Sequence, residues 1–436
     1  MPYSSKIVSA MRPDNTPADN DRVEIGPTAL AYSEWEAAGL TCPDVPAMRE
    51  FRWRRLTQAI VDRGFDGLLM YDPLNVRYAT DTTNMQLWCA HNPCRACLLL
   101  ANGHMVLWEY GALPYMSEYN PLVKEVRGGG SFFYFATGNR TDEKATQFAS
   151  VIDELLREHG GSHTGKRLAI DKIQIVGLHA LEKRGITVCD GEEVTEHTRA
   201  VKGPDEIRAM RCAMHACEQS IAAMRAITRP GITENDVWAE LHRENIRRGG
   251  EWIETRILSS GVRTNPWFQE CGPRVIQNNE LVAFDTDLIG CYGMCADISR
   301  TWFIGDGEPT AEQKRLHQIA LEHITENTEI LKPGLSFREL SEAGHALPQE
   351  FVPQRYGSKY HGVGLCDEWP SIKYPIDWEE RGYDGVLEPG MMLCVEAYIG
   401  AVGGRDGVKL EDQVLITESG VENLTRCPFD DRLTAW

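Results

Sequence analysis

Apolar and polar positions along the chain alternate in the manner of mixed helices and strands. Between Arg52 and Arg63 the apolar residues recur at helical spacing, and the run Gly67-Leu68-Leu69-Met70-Tyr71 that follows reads as a strand. Further apolar runs at Ala96–Leu100, Met105–Trp108 and 168–170 predict strands, and a long helix is expected between Asp142 and Glu158. Alternation of this kind gives a first domain of mixed α/β type over residues 46–198. Pro204 then opens a helix in which Ile207, Met210, Met214, Cys217, Ile221 and Met224 step by three and four along one stripe. Packing against a core accounts for its Met and Cys residues. Residues 1–45 are polar and proline-rich with no sustained period, and read as an N-terminal extension, an arm or a partner-contacting tail.

A repeat organises residues 199–436. Arg229-Pro230-Gly231-Ile232-Thr233, with Asp236 three residues on, matches Lys332-Pro333-Gly334-Leu335-Ser336, with Glu339 three on, at an offset of 103 residues. Each copy ends one helix at Pro-Gly and opens the next with a capping box, in which the Thr or Ser oxygen takes an orphan backbone N–H. Each is followed by apolar strands carrying carboxylates. Two related halves of this kind predict a pseudo-twofold domain with a site at its axis.

Charge narrows the function classes. The 436 residues carry 45 Lys and Arg against 64 Asp and Glu, a net charge of −19, which disfavours nucleic acid and anionic membranes as partners. No apolar run is long enough to span a membrane, and no signal peptide is visible at the start, so a cytoplasmic protein is expected. The 13 cysteines are an odd number, scattered through apolar segments, and read as reduced thiols. Cys94-Arg95-Ala96-Cys97 has the look of half a zinc site but no second pair accompanies it.

The acids that matter interrupt apolar strands. In Leu281-Val282-Ala283-Phe284-Asp285-Thr286-Asp287-Leu288, strand alternation would point Asp285 and Asp287 the same way. Asp297 follows in Ala296-Asp297-Ile298-Ser299, Glu396 sits alone in Met391-Met392-Leu393-Cys394-Val395-Glu396-Ala397, and Glu411 lies in Gly407-Val408-Lys409-Leu410-Glu411. His361 precedes two glycines in Tyr360-His361-Gly362-Val363-Gly364, where small residues suit close backbone approach to a ligand. A buried, unpaired carboxylate costs several kcal/mol, and a bound dication resolves that cost. Five carboxylates and one imidazole suit two divalent transition-metal ions, Mn, Fe, Co or Zn, rather than a thiolate site.

The order Asp, Asp, His, Glu, Glu on these strands resembles the superfamily of methionine aminopeptidase, prolidase, aminopeptidase P and creatinase, over residues from about 48 to 425. Asn75-Val76-Arg77-Tyr78 and Val201-Lys202-Gly203-Pro204-Asp205-Glu206-Ile207 resemble signatures of its creatinase and prolidase branch. The resemblance implies an α/β (α+β) chain with a smaller creatinase-like N-terminal domain, a C-terminal pita-bread catalytic domain, and a homodimer. Three departures set the chain apart from the peptidases. An Asp-x-Asp doublet replaces a single first Asp, so the step to Asp297 is twelve residues from Asp285 or ten from Asp287. The two histidines that stabilise the tetrahedral adduct of peptide hydrolysis are missing, with Asn265-Pro266-Trp267-Phe268-Gln269 in the region of one and Glu368 in place of the other.

This pattern is similar to the DddP-type dimethylsulfoniopropionate lyases, a branch that performs β-elimination. That resemblance implies a small zwitterionic substrate, metal ligands at Asp285, Asp287, Asp297, His361, Glu396 and Glu411, iron first among the candidate metals, Asp367 as base, and Tyr356 against the substrate. Trp88, Trp108, Trp267 and Trp369 are further candidates to face the sulfonium. An Xaa-Pro-type dinuclear metallopeptidase is the alternative, since it shares the fold and the ions.

Overall fold

The structure is a computed structural model, and it describes residues 25–159 and 166–434. These separate into two compact units, one built from Pro43–Arg199 with Gly203–Asp205, the other from Gly26–Cys42, Ala200–Lys202 and the chain from Glu206 on. Of the predicted N-terminal extension, residues 1–24 lie outside the described residues. Residues 26–42 belong to the second unit, where Ala29–Ala37 is a helix and the buried Trp35 donates its indole N–H to the Cys212 carbonyl at 2.9 Å. No helix among the described residues is long and apolar enough to cross a membrane.

The first unit is a six-stranded sheet of β1 (Gly67–Met70), β2 (Ala96–Leu100), β3 (Met105–Trp108), β4 (Glu125–Arg127), β5 (Arg167–Ile170) and β6 (Thr187–Asp190), in spatial order β4-β3-β2-β1-β5-β6. β1, β5 and β6 run parallel, whereas β1–β2–β3 form an antiparallel meander. The helix Thr141–His159 lays Phe148, Ile152 and Leu155 on the core that β1–β3 share. The helix expected from Arg52 begins earlier, at Val45, because Asp44 accepts the Ala47 N–H as N-cap.

The second unit contains β7 (Trp252–Ile253), β8 (Leu258–Ser260), β9 (Glu280–Asp285), β10 (Leu288–Ile289), β11 (Cys295–Ala296), β12 (Ser299–Ile304), β13 (Tyr360–Val363), β14 (Asp367–Ile372), β15 (Met392–Ile399), β16 (Val408–Ile416) and β17 (Val421–Asn423). The main sheet runs β14-β13-β15-β16-β12-β9-β8, with β17 on β16, and a small sheet runs β11-β10-β7. The helix Ala311–Glu329 packs Leu316, Ala320 and Ile324 into a core with Val395, Ala397, Leu410 and Val414.

The sequence repeat is a structural one. Thr233 Oγ1 accepts the Asp236 N–H at 3.1 Å and Asp236 Oδ2 accepts the Thr233 N–H at 2.8 Å; Ser336 and Glu339 make the same pair at 3.2 and 2.8 Å. Thr233 bridges Val275 and Ser336 bridges Val386, each antiparallel. Gly231 and Gly334 hold φ near +97° and +89°, a left-handed conformation that explains why both copies keep glycine after proline.

Candidate metal centre

Cross-strand register builds the site. Asp285 on β9 lies opposite Ser299 on β12, Ser299 opposite Glu411 on β16, and Glu411 opposite Glu396 on β15. Four strands thus place Asp285, Ser299, Glu411 and Glu396 in one row across the sheet. His361 on β13 pairs with Cys394 on β15, two residues before Glu396 and on the same face.

Asp287 and Asp297 arrive differently. The expected continuous strand through both Asp285 and Asp287 does not form: β9 ends at Asp285, and Asp287 takes a left-handed φ of +36° before the chain enters β10 in the small sheet. Leu288 pairs with Ala296, so Asp287 and Asp297 flank the open end of the β10–β11 hairpin. Convergence of the doublet therefore comes from this turn and hairpin, not from strand alternation. Thr255 donates to Asp287 Oδ2 at 2.6 Å and fixes the carboxylate against its unusual backbone.

These elements bring the acids together. The donor atoms of Asp285, Asp287 and Asp297 lie within 4.8 Å of one another, as do those of Asp297, His361, Cys394 and Glu411. His361 Nε2 is 3.2 Å from Glu411 Oε1, 3.5 Å from Glu396 Oε1 and 3.6 Å from Asp297 Oδ2. Its Nδ1 faces the Gly362 carbonyl at 3.1 Å, a partner that suits a proton on Nδ1 and leaves Nε2 turned to the acids. Ser358 donates to Glu396 Oε1 at 3.0 Å.

Lys409 is one residue that sequence reasoning missed. Its ammonium is fully buried and lies 2.7 Å from Glu411 Oε2, 3.0 Å from Glu396 Oε2, 3.2 Å from Asp285 Oδ2 and 2.8 Å from Ser299 Oγ. It also stands 4.6 Å over the Tyr356 ring. Cys394, whose thiol approaches Asp297 Oδ2 at 3.8 Å, was missed as well. A signal existed for both: each lies two residues before a site glutamate on an apolar strand, and so shares its face.

Burial and crowding set the acidity. Loss of water, then repulsion among neighbouring acids, pushes Asp287 and Asp297 well above the usual carboxylate range. Asp285 rises for the first reason against the pull of Lys409, and Glu396 is pushed up to about 7. Glu411 alone is held well below its usual value: burial opposes ionisation, but Lys409 and His361 more than offset it. Five buried carboxyls, with Asp367 beside them, face one ammonium and one imidazole. This excess of negative oxygen donors, with a single nitrogen ligand, fits divalent transition-metal ions.

Asp367 opens β14, with Oδ1 3.7 Å from His361 Nδ1. Its side chain is 52% exposed, unlike the acids it faces. Loss of water, then repulsion from Glu411 and Asp285, raises its pKa against the pull of His361.

Tyr356 is half-buried, stacks on Phe268 at 5.3 Å and packs beside Trp267 and Tyr398. Of the other tryptophans proposed for the sulfonium, Trp108 lies in the core of the first unit and Trp369 packs edge-on against Phe337. Trp88 belongs to the first unit, in a cluster with Phe133. Glu368, standing where the peptidases have a histidine, is paired with Lys202 at 3.0 Å. Another convergence of donors, His104, Glu125 and His159, is half-buried in the first unit, where Glu125 already serves His104 at 2.7 Å and Arg127.

Known proteins place this architecture. The profile of the family described as metallopeptidase family M24 matches residues 208–418. The chain superposes on the Xaa-Pro dipeptidase from Bacillus anthracis with a TM-score of 0.68 at 23% identity, over 87% of this chain and 98% of that one. The prolidase from Pyrococcus horikoshii gives a TM-score of 0.67 at 22% identity, over 87% and 99%. These likenesses establish the pita-bread fold of the catalytic unit, preceded by an α/β unit. In sequence the chain is 60% identical to the dimethylsulfoniopropionate lyase DddP of Roseovarius nubinhibens, over 96% of this chain and 95% of that protein. It is 57% identical, over the same shares, to the enzyme of that name from Roseobacter denitrificans. At that identity and coverage, the chain belongs to the DddP family of dimethylsulfoniopropionate lyases.

Proposed function

We propose that this chain is a metal-dependent carbon–sulfur lyase that cleaves dimethylsulfoniopropionate to dimethyl sulfide and acrylate. The observation that carries the reading is the 60% identity to a dimethylsulfoniopropionate lyase over nearly the whole chain. In this reading Asp285, Asp287, Asp297, His361, Glu396 and Glu411 hold two divalent ions, with iron first among Fe, Mn, Zn and Co. Such ions would supply Lewis-acid stabilisation of the negative charge that develops on the substrate carboxylate.

The chain's own residues supply the rest. Asp367 removes the α-proton as general base, and its partly open carboxyl leaves room for a substrate beside the buried acids. The C–H electron pair becomes the new double bond, the β-carbon–sulfur bond breaks, and sulfur leaves with its electron pair as neutral dimethyl sulfide. Acrylate remains, and the proton stays on Asp367. Tyr356 suits the sulfonium, because its ring already attracts an ammonium, that of Lys409, at 4.6 Å. No attacking water takes part, which agrees with an ion-paired Glu368 where a peptidase has a histidine. The likeness to prolidases concerns the fold. We further assign the protein as a cytoplasmic homodimer, a location that its 13 free cysteines support.

Incubation with dimethylsulfoniopropionate and measurement of headspace gas tests the assignment. Dimethyl sulfide and acrylate are expected from the wild type, and neither from the chelated protein or from Asp367→Ala. No release from protein verified to contain its metal would overturn it.

A further inference from the structure

Lys409 has no part in the elimination just described, yet it is enclosed among the groups that hold the metal in the proposed reading. Its ammonium contacts Asp285 Oδ2, Glu396 Oε2 and Glu411 Oε2 between 2.7 and 3.2 Å, three oxygens from three strands. Ser299 Oγ accepts from the same ammonium at 2.8 Å, and lies 2.7 Å from Asp285 Oδ1 and 2.8 Å from Glu411 Oε2. A hydroxyl has one proton to give, so Ser299 can serve one of those carboxylates at a time and the ammonium must serve the others. The group is closed to bulk solvent. Without a cation at this point the row of acids would be several like charges in a dry interior, and buried charges of one sign do not stay packed.

Resting on the reading of this cluster as a metal centre, we infer that Lys409 is a built-in counter-cation: it gathers Asp285, Glu396 and Glu411 in the metal-free protein and competes with incoming metal for the same oxygens. A divalent ion bound to those oxygens meets a positive charge already in contact with them. Lys409 therefore keeps the empty centre folded and ready, and lowers the affinity for metal. It is a positioning residue, acting on ligands and not on substrate.

The test compares full-length wild type with Lys409→Met, which matches its length without charge, and Lys409→Arg, which keeps the charge. Each is stripped with chelator and titrated calorimetrically with Mn2+ alone, with melting recorded before and after. Lys409→Met is expected to bind Mn2+ about tenfold tighter or more. Its metal-free melting temperature is expected to fall by about 5 °C. Its gain in melting temperature on adding metal should exceed that of the wild type. Lys409→Arg should stay close to wild type in both measurements. Unchanged or weaker Mn2+ binding by Lys409→Met would overturn the inference, as would an equal loss of stability with and without metal. Lys409→Gln replaces the Met variant if that one does not fold, with the same outcomes. If the wild type itself binds no Mn2+, the metal centre fails first and takes the counter-cation role with it.

Discussion

Asp367 differs from the other acids of the centre in one respect: solvent reaches it. In the proposed mechanism a base must meet a substrate whereas ligands can be sealed, so exposure divides the two proposed roles better than residue type does. Asp367→Asn should keep metal content, measured by elemental analysis, while kcat falls by about 10²- to 10⁴-fold. Glu411→Gln should lose both, because Glu411 joins the His361, Ser299 and Lys409 contacts. Tyr356 separates ring from hydroxyl. If its face attracts the sulfonium, Tyr356→Leu raises KM about 3- to 30-fold, a range set by the strength of one cation–π contact, and Tyr356→Phe changes it little. Equal effects of the two variants would assign the role to the hydroxyl.

At the scale of elements, the two Pro-Gly-Thr/Ser repeats carry their own prediction. Thr233→Ala and Ser336→Ala each remove one capping box and should cost about 1 kcal/mol in denaturant unfolding. As separate helix starts, their costs should add in the double variant. These caps were fully legible in sequence, because a capping box is a local bargain among four neighbouring residues. So were Glu396, a lone charge in an apolar strand, and Glu411, a carboxylate in the next one. The doublet Asp285–Asp287 was legible as a pair, but its geometry was not: a strand end and a left-handed residue are decided by which sheet each segment joins. Lys409 and Cys394 could have been found by carrying strand alternation two residues back from each glutamate. Ser299, Thr255 and Ser358 could not, since ordinary hydroxyl residues become site residues only through cross-strand register. The helix Ala29–Ala37 also escaped, because its anchor, Trp35, is paired with a residue far along the chain, Cys212.

The whole molecule has an acid-sensitive point away from the metal centre. His317 is fully buried, neither ring nitrogen has a hydrogen-bond partner among the described residues, and burial followed by the charge of Arg300 depresses its pKa to about 4. The unfolded chain takes up that proton near pH 6.5 and the folded chain resists it until about 4, so this contribution to stability is complete above about pH 6.5 and drains as pH falls through that window. It amounts to about 3 kcal/mol by pH 4. Melting temperature should fall between pH 7 and 5, and His317→Phe should flatten that dependence; an unchanged slope would place the acid sensitivity elsewhere. A different consequence follows from the way the main sheet is joined. β9 with β12, and β15 with β16, are each antiparallel pairs of strands close in sequence, but β12 meets β16 in a single register pair, Ser299 opposite Glu411, separated by 112 residues. The two ribbons can zip early and on their own, while the seam between them waits on a long loop closure. On refolding, sheet content should return before the capacity to hold metal, and under native conditions amides along the seam should exchange ahead of those inside either ribbon. The centre is then the clasp of the sheet, the last part to close and the first to open.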